Sequence, residues 1–559
     1  MKKIISILLA VLTSFSCLVF SFAENEQEIK FAVASDLHFN KPSQELTIYD
    51  DTSSVFGYAN RRAAMEDESG YIIDEFLYEC AQNDEISFVL ISGDMCDDGR
   101  TMPDDHAIIA QKLRDFEQKS GKPVYVTNGN HDTGAGENDF TNDDFKRVYF
   151  EFGFDEAIDT LEGTLSYTAD LPGNYRLIVA DSCDPTVSTE DGLTEKRVSW
   201  ICKMAKKANE EGKYPILMMH HNFIDHMPIQ RIISRNFIVR NHTLTAAGLA
   251  NAGIRLAFTG HEHASDVASY TSLKGNKIYD FSTTSLTMYP LNYRVISLTG
   301  QEIKYESKTI EKIDFDALYS NTKGYTQEQI SLMKEDLNSY AKGFLKQGIK
   351  YRLALSMSDE KLGIEQGQIF YKTVHTAVAG LLDTLQMPLY GEGSVSEKAK
   401  EFNIEIPQTD FENGWDLVTE LMAYHYSGDE PYEAESNTVR ALLRTAGYIL
   451  LSDLSNVNDE VFLSAANKLL SANMVTDAVK LATSVFGPFT AGEYFIVALC
   501  YPIIYTFAKD IDSIPDNYGT IEGYEVNNQG ENVKNKFENL FEKILFYIKK
   551  FFAVILRVN

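Results

Sequence analysis

A chain of 559 residues is too long for one ordinary hydrophobic core, so the sequence predicts two or more domains. Its composition, with 44% hydrophobic and 24% charged residues, is typical of a globular protein. The formal net charge of −30 at pH 7 argues against a nucleic-acid duplex as a partner, because proteins that bind DNA or RNA backbones need a basic face.

Residues 1–23 have the pattern of a secretory signal peptide. Lysines at positions 2 and 3 precede an apolar run, and the small residues Ser21 and Ala23 come directly before a polar start. We therefore expect cleavage after Ala23 and an exported protein, either extracellular, periplasmic or associated with the cell surface. Two alternatives stay open: an uncleaved anchor helix, and lipidation of Cys17.

The next region, residues 24–312, alternates short apolar runs with helical patterns. Six apolar runs predict buried strands at 29–35, 87–92, 123–127, 175–181, 214–219 and 254–259. Helix-like segments lie between several of these runs, including 106–118 and 194–210. Buried strands that alternate with helices indicate an α/β domain built in layers.

Residues 313–525 predict a second, α-helical domain. Thr326 and Gln329 form a capping box, and the apolar residues that follow lie on one helical stripe. Similar helical patterns recur at 365–385, 414–424, 437–454, 459–471 and 474–486. The apolar run 494–508 contains Pro502 and is short for a bilayer span, which favours a buried helix.

Residues 526–559 predict a polar linker followed by an amphipathic helix. Apolar residues between positions 537 and 555 recur at helical spacing, with charged residues on the opposite side. An aromatic-rich face with lysines inside the apolar stretch is typical of an interfacial helix rather than a spanning one. We therefore expect peripheral membrane contact through this helix. Packing of the same stripe on the helical domain stays open as the alternative.

Polar residues that are common in catalytic sites follow five of the predicted strands. In chain order they are Asp36 and His38, Asp94 and Asp97, Asn130 and His131, His220 and His221, and His261 and His263. In open α/β sheets ligands bind beyond the carboxyl ends of the strands, so we expect these side chains to meet there. In an extended segment side chains alternate, which predicts that His261 and His263 point the same way.

The chemistry of this set favours a metal centre. Carboxylates, imidazoles and an amide oxygen form a mixed ligand shell that is too large for one four-coordinate zinc ion. The set suits two divalent metals that share a carboxylate. Such a pair can hold a bridging hydroxide nucleophile and the oxygens of a phosphoryl group during in-line displacement.

The motifs D-x-H, G-D-x-x-D-D-G, G-N-H-D, H-H and G-H-x-H follow one another in this order between residues 36 and 263. In this series the chain resembles the calcineurin-like metallophosphoesterase family. The resemblance covers roughly residues 29–310 and implies a layered β-sandwich flanked by helices, ahead of the α-helical domain.

The resemblance also implies roles for the motif residues. One metal would be bound by Asp36, His38 and His263, the other by Asn130, His220 and His261, with Asp94 bridging both. The run "MMHHNFIDH" lacks the proline that the family often has here, so the choice between His220 and His221 stays open, with His220 favoured. His131 resembles the family's general acid or transition-state donor, and Asp97 would orient its imidazole.

The sequence thus predicts an exported phosphoesterase with two divalent metal ions, for which Mn, Fe and Zn all fit the ligands. It would hydrolyse small phosphoric mono- or diesters by a metal-bridging hydroxide, and nucleotides and lipid head groups are the candidate substrates. The alternative from a different class is a non-catalytic cell-surface binding protein built on the same fold.

Overall fold

Two β-sheets and a set of helices make up the structure, which is a computed structural model. It describes residues 28–41, 63–187, 191–228, 230–233, 235–299, 302–360, 366, 371–428, 430–431, 436–453 and 504–522. The signal peptide predicted at 1–23, the helices predicted at 459–471 and 474–486, and the tail at 526–559 lie outside these residues.

The strands and helices are numbered here in chain order. The strands are β1 (Ile29–Ala34), β2 (Ile86–Ile91), β3 (Val124–Val126), β4 (Asp159–Thr160), β5 (Tyr167–Leu171), β6 (Tyr175–Ala180), β7 (Tyr214–Met219), β8 (Leu256–Thr259), β9 (Asp266–Thr271), β10 (Lys277–Ser282), β11 (Asn292–Leu298), β12 (Glu302–Thr309) and β13 (Tyr518–Glu522). The α-helices are α1 (Ser69–Gln82), α2 (Pro103–Ser120), α3 (Asn142–Val148), α4 (Glu195–Glu210), α5 (Gln230–Ile233), α6 (His242–Asn251), α7 (Phe315–Asn321), α8 (Gln327–Glu335), α9 (Leu337–Ser356), α10 (Tyr371–Gln386), α11 (Val395–Glu401), α12 (Gly414–Ser427) and α13 (Asn437–Asp453).

Each sheet brings the ends of three or more parallel strands to one edge. The first sheet has the order β13-β12-β11-β1-β2-β3, and the second has the order β4-β5-β6-β7-β8-β10-β9. Strands β1, β2 and β3 are mutually parallel, and so are β6, β7 and β8. Because parallel neighbours end at the same edge, the segments that follow these strands are brought close together.

Aromatic rings hold the two sheets face to face. Phe31 of β1 stacks on Phe88 of β2 with ring centroids 4.6 Å apart. It also packs edge-on against Phe258 of β8, in the other sheet, at 5.6 Å. All three rings are fully buried, and burial of one phenylalanine side chain contributes about 1.5–3 kcal/mol. The sheets therefore form a sandwich in which β1 and β8 face each other.

Helices cover the outer faces of the sandwich. Ile201 of α4 and Leu249 of α6 share an apolar cluster with Leu217 of β7. On the first sheet, Ile73 of α1 and Leu113 of α2 belong to the main core. The predicted layered α/β fold is confirmed. The six predicted strands are β1, β2, β3, β6, β7 and β8, with bounds within two residues of the prediction.

The described part of 313–525 is mainly helical and packs on the sandwich. The capping box predicted from Thr326 and Gln329 opens α8, with hydrogen bonds of 2.8 and 3.1 Å in the two directions. Leu345 of α9 and Met422 of α12 share an apolar cluster with Met288, which precedes β11. No helix among the described residues is long and apolar enough to cross a membrane.

One segment of this region departs from the helical prediction. Residues Tyr518–Glu522 form β13, which pairs antiparallel with β12 at the edge of the first sheet, so that Ile521 lies opposite Ile303. The chain therefore returns from the helical region to the sandwich. Sequence reasoning did not find this strand, because five residues carry little periodicity and the pairing partner lies more than 200 residues earlier.

Candidate metal centre

The residues that were predicted as ligands follow the parallel strands at the shared edges. Asp36 and His38 come after β1, Asp94 after β2, Asn130 and His131 after β3, His220 after β7, and His261 and His263 after β8. Backbone hydrogen bonds join the first two loops, since the amides of Asp36 and His38 donate to Gly93 and Asp94 carbonyls at 3.0 Å. The fold thus brings these eight residues, which are far apart in the sequence, into one cluster.

Five of these residues have a left-handed backbone conformation. The φ angles are 49° for Asp36, 40° for His38, 49° for Asp94, 67° for His261 and 62° for His263. Such a conformation costs a residue other than glycine about 1–3 kcal/mol and persists only where surrounding contacts impose it. It also overturns the expectation of an extended segment at 261–263. The two histidines are therefore not residues of a strand, and they belong to different groups of ligand-type side chains.

The first group contains Asp36, His38, Asp94 and His263, whose ligand atoms all lie within 4.8 Å of one another. Nε2 of His263 is 3.1 Å from Oδ1 of Asp36 and 3.1 Å from Nε2 of His38. Nε2 of His38 is 3.8 Å from Oδ2 of Asp94. Each of these side chains therefore directs a metal-binding atom to a common point.

The second group contains Asp94, His220 and His261. Nε2 of His220 is 3.3 Å from Oδ2 of Asp94 and 3.1 Å from Nδ1 of His261. Oδ1 of Asn130 lies 3.1 Å from the same nitrogen of His220. Asp94 belongs to both groups, which is the position that a bridging carboxylate would take.

His221, the alternative to His220, lies elsewhere. Its Nδ1 is hydrogen-bonded to the Ser182 hydroxyl at 2.9 Å, and its backbone amide donates to the same oxygen at 3.1 Å. Its ring packs 4.3 Å from the ring of His261. The structure therefore places His220 among the ligand-type atoms and gives His221 a supporting position behind His261.

The donor set fits two divalent ions. Oδ1 of Asp36 and Oδ2 of Asp94 are buried and lack a hydrogen-bond donor among the described residues. Imidazole nitrogens face each other at 3.1 Å in both groups, in the pairs His38–His263 and His220–His261. Ligand atoms that are each about 2.1 Å from one ion lie about 3 Å apart, so these short nitrogen–nitrogen distances suit a shared metal.

The centre contains two ionised carboxyls. Burial alone would raise the pKa of Asp36, but the imidazoles of His263 and His220 outweigh this and lower it below its ordinary value. Burial alone would also raise the pKa of Asp94, but the imidazoles of His220 and His131 lower it well below its ordinary value. Both carboxyls are therefore ionised at neutral pH. Two buried negative charges side by side are stable only beside positive charge, which protonated imidazoles or bound cations can supply.

The outer nitrogens of two histidines have partners that hold their rings. Nδ1 of His220 donates to the Ser92 carbonyl at 2.9 Å. Nδ1 of His263 lies 3.1 Å from the thioether sulfur of Met288, which is fully buried. Such partners set which nitrogen of each ring faces the metal. Sequence reasoning missed both, because a backbone carbonyl has no sequence signal and Met288 lies 25 residues from its partner.

Asp97 contacts two histidines with different atoms. Nδ1 of His131 donates to the backbone carbonyl of Asp97 at 2.9 Å. The Asp97 carboxylate lies 3.2 Å from Nδ1 of His38. Asp97 thus holds His131 through its carbonyl while its carboxylate faces His38, and the predicted orienting role of that carboxylate stays a prediction.

Gly129 is required by a close approach of the backbone to Asp94. A Cβ atom added there would lie 2.1 Å from Oδ1 of Asp94 and 2.3 Å from its backbone nitrogen. The Gly129 amide also donates to the buried carboxyl of Asp132 at 2.7 Å. A second hydrogen bond, from the Cys96 amide to Asp132 at 3.2 Å, joins the loops after β2 and β3. This tight packing leaves no room for a side chain at residue 129 beside the Asp94 carboxylate.

An open cavity of about 350 Å³ lies beside His131. Its lining residues are Asp97, Asp98, Arg100, Thr101, His131 and Asp139. All six are polar or charged. Nε2 of His131 is 4.0 Å from Oδ2 of Asp94, so the histidine stands between the cavity and the ligand groups. A group leaving a phosphorus atom at the centre would enter polar surroundings here.

Part of this chain matches a known protein family. The family model described as Calcineurin-like phosphoesterase matches residues 29–265, which is less than half of the chain. This range contains all the residues of both ligand groups. No curated protein matches the sequence of this chain.

Among solved structures, the chain is similar to a dimetal phosphatase from Danio rerio, with 12% identity and a TM-score of 0.38 over 50% of this chain and 96% of that one. A conserved uncharacterized protein from Streptococcus pneumoniae, a predicted phosphoesterase, aligns with 13% identity and a TM-score of 0.21 over 51% and 90%. Vacuolar Protein Sorting 29 from Cryptosporidium parvum aligns with 10% identity and a TM-score of 0.23 over 51% and 93%. TM-scores this low carry no argument about this chain.

Proposed function

We propose that this chain, whose residues 29–265 belong to the calcineurin-like phosphoesterase family, hydrolyses phosphoric esters at a centre of two divalent metal ions. The observation that carries the proposal is that two groups of ligand-type side chains share the Asp94 carboxylate. The residues that would hold the ions are Asp36, His38, Asp94 and His263 in one group, and Asp94, Asn130, His220 and His261 in the other. A bound pair of divalent ions would activate water and stabilise the charge on phosphoryl oxygens.

His131 is placed to handle the proton of the leaving group. Its Nδ1–H is engaged by the Asp97 carbonyl, so the proton that it can transfer is the one on Nε2. Its side chain is 28% exposed, toward the cavity that it lines. In the protonated ring, Nε2 would donate to the departing oxygen, and general acid catalysis of this kind contributes about 10²–10⁴ in rate.

The substrate that best suits the centre is a small ester with a polar leaving group. Cavities that bind small molecules have volumes of about 300–1,000 Å³, and the cavity beside His131 falls at the lower end of this range. Its polar lining favours a hydrophilic group, as in a nucleotide or a lipid head group, over an apolar chain. Phosphoric mono- and diesters both fit the ligand arrangement.

Metal content and turnover test the proposal together. The purified chain is loaded with Mn²⁺, Fe²⁺ or Zn²⁺, analysed for metal, and assayed on nitrophenyl phosphate and bis(nitrophenyl) phosphate. We expect two ions per chain and metal-dependent hydrolysis of at least one ester. Two bound ions without turnover of any ester in a wider screen would favour the non-catalytic binding protein, and absence of metal would contradict the proposed centre.

We also propose that the protein is exported. The support is the pattern of residues 1–23, with lysines before an apolar run and small residues at 21 and 23. The N-terminus of protein recovered from outside the cytoplasm should begin at Glu24, as mass spectrometry of its N-terminal peptide can show. An intact N-terminus at Met1 would contradict cleavage.

For the tail we propose peripheral contact with a membrane surface. Its support is the amphipathic pattern of residues 537–555 and the polar stretch that precedes it. The full chain and a version ending at residue 530 are floated with anionic and with neutral liposomes. We expect only the full chain to float, and more strongly with anionic lipid. Equal behaviour of the two versions would contradict a membrane role for the tail.

A further inference from the structure

We infer that the C-terminal region completes the metal centre by holding the loop that carries two of its ligands. The ligand loop is defined as residues 260–267, which include His261 and His263. The C-terminal clasp is defined as residues 426–428, at the end of α12, together with residues 516–517, just before β13. The clasp lies beyond residue 265, where the family match ends, and nothing in that match assigns it a role.

Asp516 binds the end of the ligand loop. Its Oδ1 accepts a hydrogen bond from the amide of Val267 at 3.0 Å. Its backbone carbonyl accepts one from Nη1 of Arg294 at 2.6 Å, and Nη2 of the same guanidinium donates to the Ser265 hydroxyl at 3.0 Å. Arg294 is only 1% exposed, so this guanidinium is a buried link between the clasp and the ligand loop.

Asn517 joins both parts of the clasp to the same loop. Its Oδ1 accepts a hydrogen bond from the Ser265 hydroxyl at 3.1 Å. Its Nδ2 donates to the carbonyls of Ser427 and Gly428 at 2.7 and 3.2 Å. One amide side chain therefore uses both its acceptor and its donors to tie the end of α12 to the ligand loop.

The end of α12 also contacts the loop directly. The amide of Ser265 donates to the Tyr426 carbonyl at 3.1 Å. Gly428, which ends the helix with φ at 69°, approaches so closely that an added Cβ would lie 2.2 Å from the Ser265 carbonyl oxygen. Helix α12 itself packs on α9, so the loop is anchored to a pair of packed helices.

The clasp holds the loop next to residues that have an unfavourable backbone conformation. His261 and His263 have left-handed conformations, which persist only when neighbouring contacts impose them. Ser265 lies two residues after His263 and is bound by both parts of the clasp. Loss of these contacts would let the loop relax toward ordinary φ angles and withdraw both imidazoles from their groups. The residues of the clasp are thus positioning residues, and the helical region has a role in metal binding.

The test compares clasp variants of the full-length chain with a surface control. Asn517→Ala and Asp516→Ala each remove hydrogen bonds to the loop, whereas Asp410→Ala alters an exposed carboxylate elsewhere in the helical region. Burial and the nearby Asp266 carboxylate raise the pKa of Asp516 to about 9, so its carboxyl is neutral at pH 7 and Asp516→Asn is the conservative variant. Mn²⁺ affinity is measured by calorimetric titration of metal-stripped protein, and hydrogen exchange of residues 258–268 is measured without metal.

We expect both alanine variants to bind Mn²⁺ about 10–100-fold more weakly, as is usual when the outer partners of metal ligands are lost. The loop amides should exchange faster in these variants even in metal-free protein, while Asp516→Asn and Asp410→Ala remain close to wild type. If Asn517 acts through Ser265, the double variant Ser265→Ala, Asn517→Ala should lose little more affinity than the worse single one.

Unchanged affinity and unchanged loop exchange in the alanine variants, with only a lower melting temperature, would overturn the inference. The inference depends on the metal centre of the proposed function but not on its substrate. Wild-type protein that binds none of Mn²⁺, Fe²⁺ and Zn²⁺ would refute the proposed function, and loop exchange in metal-free protein would still decide whether the clasp holds the loop.

Discussion

Substitution of Gly129 by alanine tests how closely the bridging carboxylate is positioned. The new Cβ would lie 2.1 Å from Oδ1 of Asp94, and real Cβ contacts essentially never fall below 3.0 Å. The carboxylate or the loop after β3 must therefore retreat by roughly 1 Å, a misplacement that can cost about 10²-fold in rate. Because Asp94 belongs to both ligand groups, both metals should also bind more weakly.

The assay is hydrolysis of a nitrophenyl phosphoester by Gly129→Ala across a range of Mn²⁺ concentrations, with metal content measured on the same protein. Gly343→Ala in α9 is the matched control, since a Cβ there would meet nothing within 4 Å. Alanine in a helix interior stabilises by about 0.5–1 kcal/mol relative to glycine, so this control should keep its rate and melt slightly higher. A folded Gly129→Ala protein with two ions and a rate within about twofold of wild type would refute this reasoning about the position of Asp94.

Three further predictions concern single residues. Asp94→Asn removes the shared charge, so elemental analysis should find both ions reduced and the rate near background; retention of one tightly bound ion would contradict the bridge. His131→Ala should lose about 10²–10⁴ in rate on alkyl esters and less on nitrophenyl esters, with normal metal content, and equal losses would argue against an acid role. Burial alone would lower the pKa of His226, but the carboxylates of Asp266 and Asp280 raise it from 6.5 to about 10. The stabilisation from this charge is complete below pH 6.5 and is lost as the pH rises to about 10, so the unfolding free energy of wild type should fall more over this range than that of His226→Gln.

Local sequence determined the strands of the sandwich and the residues that follow them. Continuous apolar runs such as 29–35 and 214–219 have one structural interpretation when they alternate with helical patterns. Polar residues placed just after such runs must lie at the carboxyl edge of a sheet. For this reason the predicted ligands from Asp36 to His263 could be named before their distances were known.

The later strands β9 to β12 were not found in the same way. Strand β12, for example, alternates buried and exposed residues, and its apolar side is carried by Ile303 and Tyr305 between charged neighbours. Such a short amphipathic run has a weak signal. This segment is a strand because seven of its residues pair antiparallel with β11.

Tertiary structure alone decided how the ligands are held. The Ser92 carbonyl orients His220, and the Asp97 carbonyl orients His131. Because every residue has a backbone carbonyl, such contacts cannot be predicted from residue type. The loop that carries His261 and His263 likewise contacts Tyr426 through the amide of Ser265, more than 150 residues apart in the chain. Local patterns therefore specified which side chains meet, whereas long-range hydrogen bonds that carry no sequence signature specified their atoms and angles.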